Sequence, residues 1–553
     1  MVRARFGAVR LVALCLTLAF VTTACKAQKF VENIGLREPE ELKVTKTEDT
    51  NDGKCSSLDC SLREAVIASN ERPGQDIIIV PKGVYRLTIH GNEDQSSDID
   101  TFDKTGDLDI FDDLIIRGDG PGQVIVDANE IDRAFEVWFS SDVDMSGLTI
   151  RNGASRLAGG GIANGNTNHT SIGFLMLSDV EIRDSQSKFG GGGVYNKGGR
   201  LLFTKVTISK NRSDEGGGGL HNDRGPMMLV NSLIVRNRAK VGGGIFNQTY
   251  AAQSAKLIGV TVRDNEAVSG GGIYNNLGTL KVEGDSVIRE NRAEKFGGGI
   301  FNAMQEFDIA GGRDLDGTTT LTVEDSRIEH NKSIFGGGGL LVGVDTKASV
   351  TRTLIAMNLT GNQGGGLHNR GTMTVEDSCF FKNNAAKGGG VVNGVGADLS
   401  LVNVTVSGNQ ADIIAGGLGN ASAGSTMRIV NGTIFNNSPH GIVELGGKTN
   451  LFNTIVAGNS PANCKGGVQS QANNLDSGSS CAFTGPNDLS NTDPMLDAIT
   501  PFGAGNLLHP LKADSPAIDM GDDATCPDHD QRGAPRPQLT ACDIGAFEFG
   551  PPL

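Results

Sequence analysis

Runs of glycine recur through the middle of this chain. They begin at Gly159, Gly190, Gly216, Gly242, Gly270, Gly297, Gly336, Gly364, Gly388 and Gly416. Successive starts lie 31, 26, 26, 28, 27, 39, 28, 24 and 28 residues apart, a period near 26. Most runs continue alike: GGGIAN, GGGGVYN, GGGGLHN, GGGIFN, GGGIYN, GGGIFN, GGGLHN, GGGVVN. Such a period marks units that cannot bury a core alone and must stack. Between the runs lie short alternating stretches, such as residues 321–328. Their length and β-branching predict strands. Two or three strands per period describe one coil of a parallel β-helix, stacked about 4.8 Å above the last. Alternate Val, Ile and Leu would point inward, and glycine permits corners with positive φ. A second marker precedes the runs at Asn211, Asn237, Asn265, Asn291, Asn331, Asn362, Asn384 and Asn409. Asn tolerates the left-handed region, and its amide can bond from coil to coil. Insertions in the 31- and 39-residue steps, near residues 164–171 and 303–318, are expected to be loops outside the rod.

Lys and Arg number 49 against 64 Asp and Glu, a net charge of −15. Such a surface repels phosphate backbones and anionic headgroups, which excludes non-specific nucleic-acid binding. Glycine is abundant, 78 of 553 residues, but has no Gly-X-Y period, so collagen is excluded. The N-terminus reads as a signal peptide, residues 1–24: Arg3, Arg5 and Arg10 precede an apolar run, residues 11–21, too short for a typical span. It ends at Val21-Thr22-Thr23-Ala24-Cys25, which resembles a lipobox, so Cys25 is the expected lipidation site. Plain cleavage after Ala24 or Ala27 is the alternative. The chain is therefore expected outside the cytoplasm, as an outer-membrane lipoprotein or a freely secreted protein, with membrane contact only through a lipid on Cys25. Three close pairs of cysteines, Cys55/Cys60, Cys464/Cys481 and Cys526/Cys542, predict disulfides in an oxidising compartment, with Cys379 left over. No zinc-ligand spacing appears.

An open coil is a sheet edge and needs a cap. Ser61-Leu62-Arg63-Glu64 is a capping box opening a short helix through Asn70. From about Pro461 the repeat gives way to loops carrying four cysteines. The organisation expected is a linker over 25–45, an N-terminal cap and first coils over 46–150, β-helix repeats over 151–460, and a C-terminal cap over 461–553.

Both ends resemble known families. Cys60-Ser61-Leu62-Arg63-Glu64-Ala65 matches the signature of CSLREA-domain proteins. Similar to their first coils are Asp76-Ile77-Ile78-Ile79-Val80-Pro81, Gly106-Asp107-Leu108-Asp109-Ile110 and Asp132-Arg133-Ala134-Phe135. The GGGI-x-N coils resemble the polymorphic outer membrane protein repeat. The stretch from Asn491-Thr492-Asp493-Pro494 to Cys542-Asp543-Ile544-Gly545-Ala546-Phe547-Glu548 resembles the choice-of-anchor Q domain. The resemblance implies an all-β chain, a single right-handed parallel β-helix with an N-terminal helical cap and a disulfide-bonded C-terminal cap, exported to the bacterial surface. It carries no catalytic residue.

Two functional readings follow. The first is non-catalytic binding or adhesion, to a glycan or a surface protein. In each I-x-N unit the x position holds Tyr195, His221, Phe246, Tyr274 and Phe301 in successive coils. If Ile and Asn face inward, these rings face outward and would form an exposed ridge suited to sugars. The alternative is a polysaccharide-active lyase or glycoside hydrolase, which needs a base or paired carboxylates, often with calcium. Carboxylates are densest from Asp98 through Asp100, Asp103, Asp107, Asp109, Asp112 and Asp113. Asp107 and Asp109 share a strand face and are the candidate Ca2+ ligands. No other cofactor is expected. The balance leans to binding without catalysis.

Overall fold

The computed structural model describes residues 38–91, 105–138, 140–165, 173–249, 254–303, 319–503 and 505–550. The signal segment, Cys25, Asp98, Asp100, Asp103 and most of both insertions lie outside these residues. Residues 200–226 show how one coil is built. Arg200–Thr204 forms one face, and Lys205 turns the chain at φ 55°. Thr207–Ser209 forms a second face, and Lys210 turns it again at φ 55°. Arg212–Ser213 forms a short third face, the Gly216 run makes the next corner, and Leu220–Asp223 forms a fourth. The next coil pairs in parallel, Leu201 with Met227 and Ile208 with Ile234. Each coil thus carries four short strands rather than two or three. The two extra corners are made by single positive-φ residues of many types, a weaker sequence signal than glycine.

Stacked coils form a right-handed parallel β-helix. Among the described residues the first two faces merge into a long sheet of 30 strands. The third face makes a short, interrupted sheet, three strands and six joined through single bridges at Arg238, and the fourth a sheet of fourteen strands. The interior is filled by alternating positions. Leu201, Phe203, Val206, Ile208 and Leu220 belong to one apolar core running the length of the rod.

Glycine runs are required for two reasons. Gly242 has φ 60°, whereas Gly243 has an ordinary φ but no room. A Cβ there would lie 2.4 Å from the Glu266 carbonyl oxygen and 2.5 Å from that of Gly271, in the next coil. Asparagine closes the opposite corner. In Asn211, Asn237, Asn265, Asn291, Asn331, Asn358, Asn383, Asn409 and Asn437, each Oδ1 from Asn237 onward accepts from both the backbone N–H and the Nδ2 of the Asn one coil earlier. Asn358 and Asn383 take the places expected of Asn362 and Asn384, which are half-buried outside the ladder.

Both ends depart from the expected boundaries. Glu41–Lys43, inside the supposed linker, is already a strand, paired in parallel with Ile77–Ile79. Helix α1, Leu62–Asn70, has the capping box at Ser61 and Glu64 and covers the first coil. At the other end the stack continues past Pro461 through Leu475–Asp476 to Leu489–Ser490. The disulfide-bonded cap forms there, with Cys464, Cys481 and Phe483 packed on the interior core, and the chain then turns back along the outside of the long sheet. Asn506 Nδ2 donates to the Asp377 carbonyl at 2.7 Å, Asn403 Nδ2 to the His529 carbonyl at 2.8 Å, and Asn431 Nδ2 to the Asp543 carbonyl at 2.9 Å. The disulfides are Cys55–Cys60, Cys464–Cys481 and Cys526–Cys542. Cys379 is a free thiol in a small apolar cluster where Phe381 and Leu507 also pack.

Candidate functional site

The outward column of the fourteen-stranded sheet can be followed coil by coil. It reads Asp109, Glu136, Ala163, Tyr195, His221, Phe246, Tyr274, Phe301, Leu341, His368 and Val392. The rings do stack. Tyr195–His221, His221–Phe246, Phe246–Tyr274 and Tyr274–Phe301 have centroids 5.1, 4.5, 5.5 and 4.9 Å apart.

They do not form an exposed ridge. Tyr195, His221, Phe246, Tyr274 and Phe301 are 6, 4, 1, 1 and 8% exposed. Alternation sets which way a side chain faces, not what lies over it. The glycine corner folds against this column: a Cβ on Gly297 would lie 2.6 Å from the Cβ of Phe301, and one on Gly270 2.8 Å from that of Tyr274. Phe246, Tyr274 and Phe301 close a second apolar cluster with Val241 and Leu341, separate from the interior core. The column is packing, and no exposed sugar-binding ridge forms from it.

Burial holds the His221 imidazole down at about 3, against about 6.5 when unfolded. The folded state keeps the neutral ring, so its contribution is complete above the unfolded value. Stability should fall as pH drops from about 6.5 towards 3, by up to about 1.4 kcal/mol per pH unit from this group. His221→Phe should flatten that slope, read from urea midpoints at neutral and acid pH. Parallel pH profiles for variant and parent would contradict it.

At the N-terminal end the same column becomes acidic. Asp107, Asp109 and Glu136 each place a carboxylate oxygen within 4.8 Å of the others, and all three are buried. Glu136 pairs in register with Asp109 on the next coil. The two Asp were visible in the sequence and Glu136 was not, although Leu108-Asp109-Ile110 and Phe135-Glu136-Val137 repeat the I-x-N alternation. Arg133 forms ion pairs with Glu136 and, at 3.4 Å, with Asp107. Trp138 Nε1 donates to Asp109 Oδ1 at 2.7 Å. The N-terminal cap holds this strand. Arg63 donates to the carbonyls of Gly106 and Asp107 at 2.8 and 3.0 Å. Asn70, the last residue of α1, donates from Nδ2 to the Asp109 carbonyl and accepts at Oδ1 from the Phe111 N–H. The donor set is of the hard oxygen type that suits Ca2+, with the Arg133 guanidinium competing for the same oxygens. Asp112 and Asp113 instead accept backbone N–H groups, of Gly74 and Asp142.

The outer face of the short sheet is different. Arg212, Arg238, Glu266, Arg292 and Lys332 stand in single file, one per coil, all exposed. Arg238, Glu266, Val268, Arg292 and Glu294 line a groove of about 240 Å³. Further along the same stack Phe189, two coils before Arg238, and Phe335, one coil after Arg292, are 37% and 47% exposed. This face was not singled out in the sequence, because its charged positions follow the Asn markers without a repeated motif.

No family model and no curated protein matches the sequence. Among solved structures the chain is similar to a pectate lyase, Pel9A, at 14% identity over 93% of this chain and 97% of that one, with a TM-score of 0.23. It is also similar to the A-module of the Azotobacter vinelandii mannuronan C-5 epimerase AlgE6, at 14% identity over 74% and 95%, with a TM-score of 0.31. Likenesses this distant say nothing of chemistry here, and the fold rests on the chain's own strand register.

Proposed function

We propose that the protein is an exported rod that binds an extended glycan without cleaving it, along the outer face of the short sheet. The observation that carries this reading is the single file Arg212, Arg238, Glu266, Arg292 and Lys332 beside its groove. A polymer with a short repeat can meet one polar side chain per coil, and the exposed Phe189 and Phe335 offer ring faces for sugar. Three disulfides suit an oxidising compartment and support export. A lipid on Cys25 would hold the rod at a membrane surface.

The test is retention of soluble polysaccharides on the immobilised chain, with product analysis. Retention is expected, with no new reducing or unsaturated ends, and failure to retain any polysaccharide removes the reading. A second reading, a polysaccharide-active enzyme, is favoured by the adjacent carboxylates of Asp107, Asp109 and Glu136. New chain ends that disappear in Glu136→Gln would put it in place of the first.

A further inference from the structure

Charge along the groove face runs against that of the whole chain. The row Arg212, Arg238, Glu266, Arg292, Lys332 is joined two residues further along each strand by a second, which includes Lys188, Asp214, Lys240 and Glu294. Cations outnumber anions there, on a chain of net charge −15. Some are paired: Arg212 lies 3.3 Å from Asp214, and Lys240 3.2 Å from Glu215. These are solvent-exposed pairs of small energy, easily exchanged for a ligand. Arg238 and Arg292 form no ion pair within 4 Å among the described residues, although Glu266 and Glu294 line the same groove. An exposed guanidinium without a protein partner presents a planar fork matched to a carboxylate.

Arg238 and Arg292 stand two coils apart, with Glu266 on the coil between, a separation of about 10 Å along the rod. We propose that this face selects an acidic polysaccharide. Arg238 and Arg292 each grip a carboxylate of the polymer, and Glu266 between them sets its register by repelling an anion at that point. The proposal rests on the glycan-binding reading and specifies its ligand. Carbohydrate is favoured over nucleic acid because Glu266 and Glu294 interrupt the basic row and would repel a continuous phosphate backbone, while exposed Phe189 and Phe335 suit the apolar faces of sugar rings.

The experiment compares three probes on the full chain: polygalacturonate, its fully methyl-esterified form, and a single-stranded oligonucleotide. Polygalacturonate should be retained, weakened by high salt, and held at least about tenfold more tightly than the neutral ester. The double variant Arg238→Gln, Arg292→Gln should lose about tenfold or more of that affinity while its thermal midpoint stays unchanged, because exposed sites contribute little to stability. Glu266→Gln should strengthen retention. Equal, salt-independent retention of acid and ester would overturn the acidic-ligand proposal and leave glycan binding standing. Oligonucleotide held as tightly as polygalacturonate would overturn the carbohydrate assignment. Retention of neither polysaccharide would remove both.

Discussion

Replacing Asn265 by Ala should lower the stability of the rod by about 3–5 kcal/mol. The side chain works in both directions along the stack. Its Oδ1 accepts from the Asn237 N–H and Nδ2 at 2.9 and 3.1 Å, and its Nδ2 donates to the Ile234 carbonyl and Asn291 Oδ1, both at 3.0 Å. Truncation strips these buried groups of partners that water cannot replace, and an unsatisfied buried polar group costs about 1–3 kcal/mol. Asn384→Ala is the control. Asn384 opens a third-face strand four coils further along, beside the ladder member Asn383, but is half-buried and outside the ladder, so its change should stay within about 0.5 kcal/mol. Denaturant unfolding, followed with hydrogen exchange of mid-rod amides, measures both. Equal losses would mean that the ladder contributes no more than surface polarity does.

Gly243→Ala should be as damaging for a different reason, by about 3 kcal/mol or more. The added methyl group would meet main-chain carbonyl oxygens of the next coil at 2.4 and 2.5 Å, and no side chain can move to admit it. Relief requires prising two coils apart, which breaks their hydrogen bonds. Gly396→Ala tests backbone conformation alone. It has φ 68° and nothing within 4 Å of an added Cβ, so only the left-handed strain applies, about 1–2 kcal/mol. Thermal midpoints of the two variants should differ clearly. If Gly396→Ala proves the worse, close packing is not why the second glycine of each run is kept.

These two positions also show what the sequence makes legible. The glycine period, the inward alternation and the short-range cysteine pairs are local facts, and the fold, the capping box and all three disulfides follow from them. Whatever depended on distant chain was hidden. Asn362 and Asn384 pass for ladder members because each lies between a true member, Asn358 or Asn383, and the next glycine run, whereas the ladder residue is the Asn directly after a positive-φ turn residue such as Met357 or Lys382. Tyr195 to Phe301 face outward as alternation requires, yet the glycine corner buries them. Glu136 joins Asp109 only through the register of coils 27 residues apart in sequence. The basic file from Arg212 to Lys332 has no motif at all, since it is assembled one residue at a time from separate coils.

The returning C-terminal segment changes how the rod bears load. A pull along its axis is carried by the coils in series, so separation begins wherever one interface is weakest. Residues 506–545 bridge several interfaces at once, fastened beside Asp377, Asn403, Asn431 and Asn453. Over that stretch two coils cannot part unless the strap also lets go. The last coils should therefore come away as one block, and stretching should open the unstrapped coils first.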